Sequence, residues 1–176
     1  MFKTDISSQN FFHKQKALWE NTVPLHTFLG RASEFDAIFF PGGHGPMFDL
    51  ATDKDSIKLI QEFYTAGKAV AAVCHGPAAF VNVIIDDKHL LQGRTVTALS
   101  NKEEEYPEVM PFSLEDELQK SGAKYIKASE KWEEKVVVDG QIITGQNPAS
   151  SRGVAEAIAK AIGTCLKRLA IPACEI

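Results

Sequence analysis

Two residues that can do covalent chemistry stand side by side at Cys74-His75, and Gly76-Pro77 comes directly after them. A thiolate is a strong nucleophile, and an imidazole beside it can take up and return a proton. Ahead of the pair, Lys68-Ala69-Val70-Ala71-Ala72-Val73 is an apolar run without polar alternation, as expected for a strand buried on both faces. Behind it, Gly76, Pro77 and the small apolar residues to Phe80 read as the opening of a helix with proline in its first turn. The expectation is strand, sharp turn, helix, with Cys74 at the carboxyl edge of a parallel sheet, where open α/β folds hold their ligands. Unpaired N–H groups and the positive end of a helix dipole favour the thiolate there. A lone cysteine in a strand is more often a small core residue. The polar His-Gly-Pro turn argues for the reactive role here.

A second turn must meet the first. Ala37-Ile38-Phe39-Phe40 reads as a buried strand and runs into Pro41-Gly42-Gly43-His44-Gly45-Pro46. Such glycines either make a flexible loop or bring backbone N–H groups close to a bound anion; directly after a buried strand, the cradle is the stronger reading. Between the two strands a helix is capped by Thr52 or Asp53, carries a stripe of Ile57, Ile60 and Tyr64, and stops at Gly67. Strand, helix, strand implies parallel pairing with a right-handed crossover, so both turns open at one sheet edge. A further strand over 95–99 delivers Ser100-Asn101-Lys102-Glu103-Glu104-Glu105-Tyr106-Pro107 to the same edge. Those glutamates are either a solvated charge run or part of the site.

The rest of the chain frames this core. Residues 8–20 read as a surface helix with an imperfect apolar face of Phe11, Phe12, Ala17, Leu18 and Trp19, packed on the domain and ended by Asn21 and Pro24. His13, His26 and His89 read as solvated. Ser113 opens a helix that Gly122 closes, and 124–127 is a short edge strand. Val136-Val137-Val138-Asp139-Gly140-Gln141-Ile142-Ile143-Thr144 is a hairpin pattern. Ser150 or Ser151 caps a last helix over 152–162, and Gly163 interrupts it. One domain is expected over 1–176: a helical segment at 1–32, a core at 33–162 and an irregular tail at 163–176.

Bulk properties exclude several classes. At 44% hydrophobic, 176 residues suffice for one full core, and a net charge of −4 offers nothing to nucleic acid. No apolar run is long enough for a membrane span, and the start lacks the apolar stretch of a signal peptide. The three cysteines, Cys74, Cys165 and Cys174, are odd in number and widely spaced, which suits a reducing, cytoplasmic setting. No Cys or His pair has zinc-finger spacing.

Phe39-Phe40-Pro41-Gly42-Gly43-His44-Gly45 and Ala72-Val73-Cys74-His75-Gly76-Pro77 resemble the DJ-1/PfpI superfamily. Ser100-Asn101-Lys102-Glu103-Glu104, Val137-Val138-Asp139-Gly140 and Thr144-Gly145-Gln146-Asn147-Pro148-Ala149-Ser150-Ser151 resemble its Hsp31-like, glyoxalase III-type branch. The resemblance runs over 33–162. It implies an α/β, flavodoxin-like three-layer sandwich with a mostly parallel sheet and a C-terminal β-hairpin. It implies Cys74 as nucleophile, His75 as its imidazole and Glu104 as the acid that orients it, with Glu103 or Glu105 in that place if the loop is shifted. Backbone N–H groups of Gly43 and His75 match the oxyanion site, and His44 lies with them at the substrate. The branch converts methylglyoxal to D-lactate without glutathione or metal. No cofactor is therefore expected, the partner is a small aldehyde, and a homodimer in the cytoplasm, with the nucleus also open, fits the family.

The chain departs from the family at its start. Family members open with a strand, a helix and another strand, and that helix carries an acid bonded to the sulfur. Residues 1–25 resemble the segment after it. The expectation is an N-terminally truncated sheet with exposed apolar faces and strand edges, either a short form or a fragment. Glu20 and Glu34 lie upstream, and no pattern picks either as the replacement acid. A holdase chaperone or a cysteine redox sensor is the alternative function, and a cysteine peptidase or amidase ranks below it. A glutamine amidotransferase would need a histidine late in the chain, and none comes after His89.

Overall fold

The structure is a computed structural model and describes residues 5–163. The expected tail beyond Gly163, with Cys165 and Cys174, lies outside the described residues. In chain order the elements are α1 (Ile6–Lys14), α2 (Lys16–Glu20), β1 (Ala37–Phe40), α3 (Gly45–Phe48), α4 (Lys54–Thr65), β2 (Ala69–Val73), β3 (Ile84–Ile85), β4 (Lys88–His89), β5 (Thr95–Val96), α5 (Leu114–Lys120), β6 (Lys124–Tyr125), β7 (Val136–Asp139), β8 (Ile142–Gly145) and α6 (Ser151–Ala161). The main sheet has the order β1-β2-β8-β7, parallel except where β7 joins β8.

Strand β2 is buried along its whole length, and its alternation explains why. Val70 and Ala72 face one layer with Leu59, Ile60 and Phe63 of α4 and with Phe80. Ala69, Ala71 and Val73 face the other layer, where Val154 of α6 packs. A strand covered on both faces has no polar side to display, so its sequence reads as one apolar run. Helix α4 starts where Asp53 accepts a hydrogen bond from Ser56 N at 2.7 Å. It stops at Gly67, whose φ of +75° suits glycine. Its buried stripe is Leu59, Ile60 and Phe63, while Ile57 and Tyr64 are only half-buried, a small rotation from the expected face.

Several expectations shift. The first helix breaks in two at Gln15, and it does not bury its apolar face: Phe11, Phe12 and Leu18 are exposed, and Phe12 stacks on Trp19 at 5.3 Å between ring centroids. Residues seven apart share a helix face, so these rings satisfy each other rather than the core. Among the described residues strand β1 is bonded on one side only, and Phe39 is exposed, so this strand is not fully buried. His89 is a half-buried brace, not a solvated residue. Its Nε2 lies 2.9 Å from Val81 O, and its Nδ1 accepts from Leu91 N at 3.0 Å, which ties down a β3–β4 hairpin that the sequence did not reveal.

Strand β5 covers only the first two residues of the expected 95–99 and pairs in parallel with β6. The C-terminal hairpin is not an appendage. Strand β8 lies inside the main sheet because Ile142 and Ile143 are buried on opposite faces, and β7 closes the edge. Ser150 does not cap α6. Its hydroxyl accepts from Lys135 N at 3.0 Å and meets Asn147 Oδ1 at 3.3 Å.

Candidate active site

The turns after β1 and β2 press against each other, and glycine permits the contact. A Cβ on Gly42 would lie 2.5 Å from Cys74 Cβ, and one on Gly76 would lie 2.2 Å from Phe40 O. Cys74 itself sits at φ +63°, a left-handed conformation that costs a residue with a side chain roughly 1–2 kcal/mol. Bonds on both sides hold it there: Cys74 N donates to Gly145 O and Cys74 O accepts from Leu99 N, each at 2.9 Å. The turn therefore lifts the thiol out of the strand, as the pattern predicts.

Beyond the turn lies a five-residue 3-10 helix, Gly76–Phe80, rather than a longer α-helix. Its dipole is correspondingly short, and the expected thiolate is corrected by the structure. Burial pushes the Cys74 thiol up from 9.0; N–H groups of Gly43 and His75, both bonded to the sulfur, pull it back only in part, and the nearby Glu103 and Glu104 charges push it further up. Burial also pushes His75 below 6.5, despite its bond to Glu104. Thiol and imidazole are therefore both neutral at rest near pH 7.

Cys74 Sγ lies 3.5 Å from His75 Nδ1, and His75 Nε2 lies 2.7 Å from Glu104 Oε2. Burial opposes the charge on Glu104, but its bonds from His75 and from Tyr106 N hold it below 4.5, so it is ionised and accepts only. Nε2 therefore carries the proton and donates to Glu104. The lone pair on Nδ1 then faces the sulfur, ready to take the thiol's proton.

The three loop glutamates have different surroundings. Glu105 is exposed. Glu103, fully buried, accepts from Ser100 N and Oγ, Gln146 Nε2, Asn147 Nδ2 and Trp132 N at 2.6–3.1 Å. Burial works against its charge, but these donors more than offset it and hold its pKa below 4.5. It is the post to which the loop after Leu99 is tied. His44 is half-exposed, with its ring 4.9 Å from that of His75 and 5.9 Å from Tyr106, and its Nε2 3.9 Å from Glu104 Oε1. The upstream acids are engaged elsewhere: Glu20 pairs with Lys16 and Glu34 with Arg31.

Cys74, His75 and Glu104 open onto a cavity of about 320 Å³, which Gly43, His44, Leu99, Tyr106, Trp132 and Pro148 help to line. Trp132 and Pro148 come from sequence-distant loops; no spacing pattern announces Trp132, whereas Pro148 falls within the 144–151 stretch that carries the family resemblance. A larger cleft of about 620 Å³ around Tyr64, His89 and Arg94 holds no cysteine.

A family model described as the DJ-1/PfpI family matches residues 19–161. The chain belongs to the DJ-1/PfpI family. Its sheet is that family's flavodoxin-like α/β fold. Among curated relatives of this DJ-1/PfpI chain, the glutathione-independent glyoxalase HSP31 of Saccharomyces cerevisiae is 34% identical over 134 residues, 70% of this chain and 56% of the relative. The chain thus spans about half the length of the curated relatives it matches. The crystal structure of glyoxalase III from Candida albicans is 30% identical at a TM-score of 0.65, covering 74% of this chain and 61% of that one. Rapid Encystment Protein 24 KDa of Francisella tularensis superposes with a TM-score of 0.83 at 36% identity, over 91% of this chain and 72% of that one. Several curated relatives, among them this yeast protein, are named as glyoxalases. Among the described residues, no helix is long and apolar enough to cross a membrane.

Proposed function

We propose that this chain is a glutathione-independent glyoxalase of the glyoxalase III type, which adds water to methylglyoxal and releases D-lactate. The observation that carries this reading is the continuous relay from Cys74 Sγ through His75 to ionised Glu104, at the floor of a cavity near the small end of ligand pockets. Names of the relatives support the same chemistry.

The thiol is neutral at rest, so attack and proton transfer are coupled. As Sγ bonds to the aldehyde carbon, the thiol proton passes to His75 Nδ1 and on to the carbonyl oxygen, giving a hemithioacetal. Imidazolium forms in passing, and Glu104 stabilises it through Nε2. The N–H groups of Gly43 and His75, which hydrogen-bond the resting sulfur, are the donors this reading assigns to the oxygen that gains charge. The proton on the former aldehyde carbon then moves to the neighbouring carbonyl carbon, and the hydroxyl proton passes from the former aldehyde oxygen to the neighbouring oxygen, which turns the hemithioacetal into a thioester of lactate. Water then attacks the thioester, the C–S bond breaks, and the thiol regains its proton. No electron leaves the system, and the net change is one water added.

The test is D-lactate formation from methylglyoxal by the full chain and by Cys74→Ala. Turnover in the first and none in the second is expected; equal rates dismiss the catalytic role. On this reading the protein works in the cytoplasm, where methylglyoxal arises.

One observation favours a holdase activity as a second reading: Phe11, Phe12, Leu18 and Phe39 are exposed. Suppression of client aggregation that survives Cys74→Ala would support it, and loss on replacing those aromatics would locate it. Redox sensing draws no support from a thiol whose pKa is raised.

A further inference from the structure

His44 lies outside the Cys74–His75–Glu104 relay, yet its ring edge meets the rings of His75 and Tyr106 at the cavity mouth. It turns the same nitrogen, Nε2, to Glu104 that His75 does. His75 Nε2 is 2.7 Å from Glu104 Oε2, His44 Nε2 is 3.9 Å from Oε1, and one ligand atom from each of the three residues lies within 4.8 Å of the others. We propose that His44 Nε2, His75 Nε2 and one oxygen of Glu104 form a site for a divalent first-row transition ion, zinc foremost, and that the ion switches the Cys74 chemistry off.

The donor set is two imidazoles and one carboxylate, which suits zinc and its neighbours rather than calcium or magnesium. Zinc bonds of about 2.0–2.1 Å in a tetrahedral site put ligand atoms roughly 3.3 Å apart. The His75–Glu104 pair opens slightly to reach that spacing, and His44 closes. His44 is free to do so because its side chain is 45% exposed and follows Gly43 at φ +89°. The remaining coordination position faces the cavity and takes water. Tyr106 N, which donates to Glu104 Oε1 at 3.0 Å, holds the carboxylate in place from outside.

The ion sits where the proton between His75 and Glu104 now sits. The inhibitory half of the proposal rests on the glyoxalase reading: with Nε2 committed to metal, Glu104 no longer stabilises an imidazolium. The binding half does not rest on it. Cys74 is not a ligand here, since its sulfur faces the opposite ring nitrogen, Nδ1.

Zinc affinity is measured on the full chain by competition with a chromophoric chelator, and cobalt is used as a spectroscopic probe. One ion per chain is expected, bound as well by Cys74→Ser as by the natural chain. His44→Asn should weaken binding by more than about 100-fold, beyond the loss usual for an outer-shell partner. Circular dichroism verifies that this variant is folded, and His44→Gln repeats the measurement with a longer side chain. Undiminished zinc affinity in both His44 variants, or a cobalt charge-transfer band that vanishes in Cys74→Ser, overturns the assigned ligands. D-lactate formation should fall in proportion to zinc occupancy and return on chelation; full turnover at full occupancy overturns the switch. A metal-free chain without turnover would sink the glyoxalase reading and leave the affinity results to decide the site.

Discussion

Replacing Glu104 with glutamine is the sharpest test of the relay, because shape is kept and only charge and one acceptor are lost. Glu104 uses both oxygens: Oε2 takes the His75 Nε2 proton at 2.7 Å, and Oε1 takes the Tyr106 N–H at 3.0 Å. A glutamine satisfies one of these and not the other. With its oxygen toward Tyr106, its NH2 faces His75 and forces the imidazole proton onto Nδ1, where it can no longer receive the thiol's proton. With its oxygen toward His75, the NH2 faces a backbone donor, and the imidazolium loses its counter-charge. A hydrogen bond to a charged group contributes about 1.5–3 kcal/mol, and it acts on the rate because imidazolium forms in the transition state. At about 1.36 kcal/mol per decade, kcat/KM for D-lactate formation should fall roughly 10–150-fold. Stopped assays across substrate concentrations measure this, with a thermal melt as control for folding. A Glu104→Gln enzyme within about twofold of the natural rate refutes the assignment of Glu104, and with it the tautomer that places the His75 proton on Nε2.

The same geometry sets other outcomes. Glu103→Gln puts an NH2 among five donors, so it should cost about 3 kcal/mol and lower the melting temperature by roughly 6–12 °C; an unchanged melt would show that the carboxylate is not the post of that loop. Gly76→Ala drives a Cβ to 2.2 Å from Phe40 O, so the two turns must separate and turnover should collapse with a lowered melting temperature, whereas natural activity in this variant would contradict the close approach. Because the Cys74 thiol lies above 9.0, its alkylation by iodoacetamide, tracked on the Cys74 peptide by mass spectrometry, should keep rising through pH 9; a plateau at or below pH 7 would mean a thiolate at rest. The folded chain also binds fewer protons than the unfolded chain at His75, held below 6.5, and at Glu103 and Glu104, held below 4.5. Their contribution is present above pH 6.5 and is lost as pH falls, first through the imidazole's range and then the carboxylates', so the urea midpoint should drop from pH 7 to 5.5 and again to 4. A midpoint that climbs on acidification contradicts those surroundings.

The parts of this molecule that could be read from sequence are those in which one residue type has one physical use. Glycine at 42 and 76 is required by close contact, and an unbroken apolar run at 69–73 requires cover on both faces. Together these put the two turns, and so Cys74, His75 and Gly43, at one edge. Glu104 comes to that edge because the stretch after β5, which belongs to a separate two-stranded sheet, is tied to the Cys74 turn through Leu99 N and Cys74 O. The unread parts depend on tertiary partners. His89 looked solvated because its partners, Val81 O and Leu91 N, are backbone groups that any sequence supplies. Glu103 looked like one of three equal charges because its donors come from residues 100, 132, 146 and 147. The apolar face of α1 and α2 is real in sequence, but periodicity names a face without naming what covers it.

The protonation of Cys74 was beyond sequence for a deeper reason, and it bears on how the site works. A turn ahead of a helix was expected to favour the thiolate, yet the helix is one 3-10 segment and the sulfur is close to two carboxylates. Two N–H groups do not offset burial plus two negative neighbours. Those carboxylates are needed: one fixes the imidazole and the other fixes the loop that carries the first. The arrangement that orients the base thus disfavours a resting anion, and the nucleophile arises only as His75 takes the proton. Oxidation tracks thiolate character, so on the glyoxalase reading the same arrangement would slow loss of the sulfur to peroxide and still let it attack an aldehyde held against Nδ1.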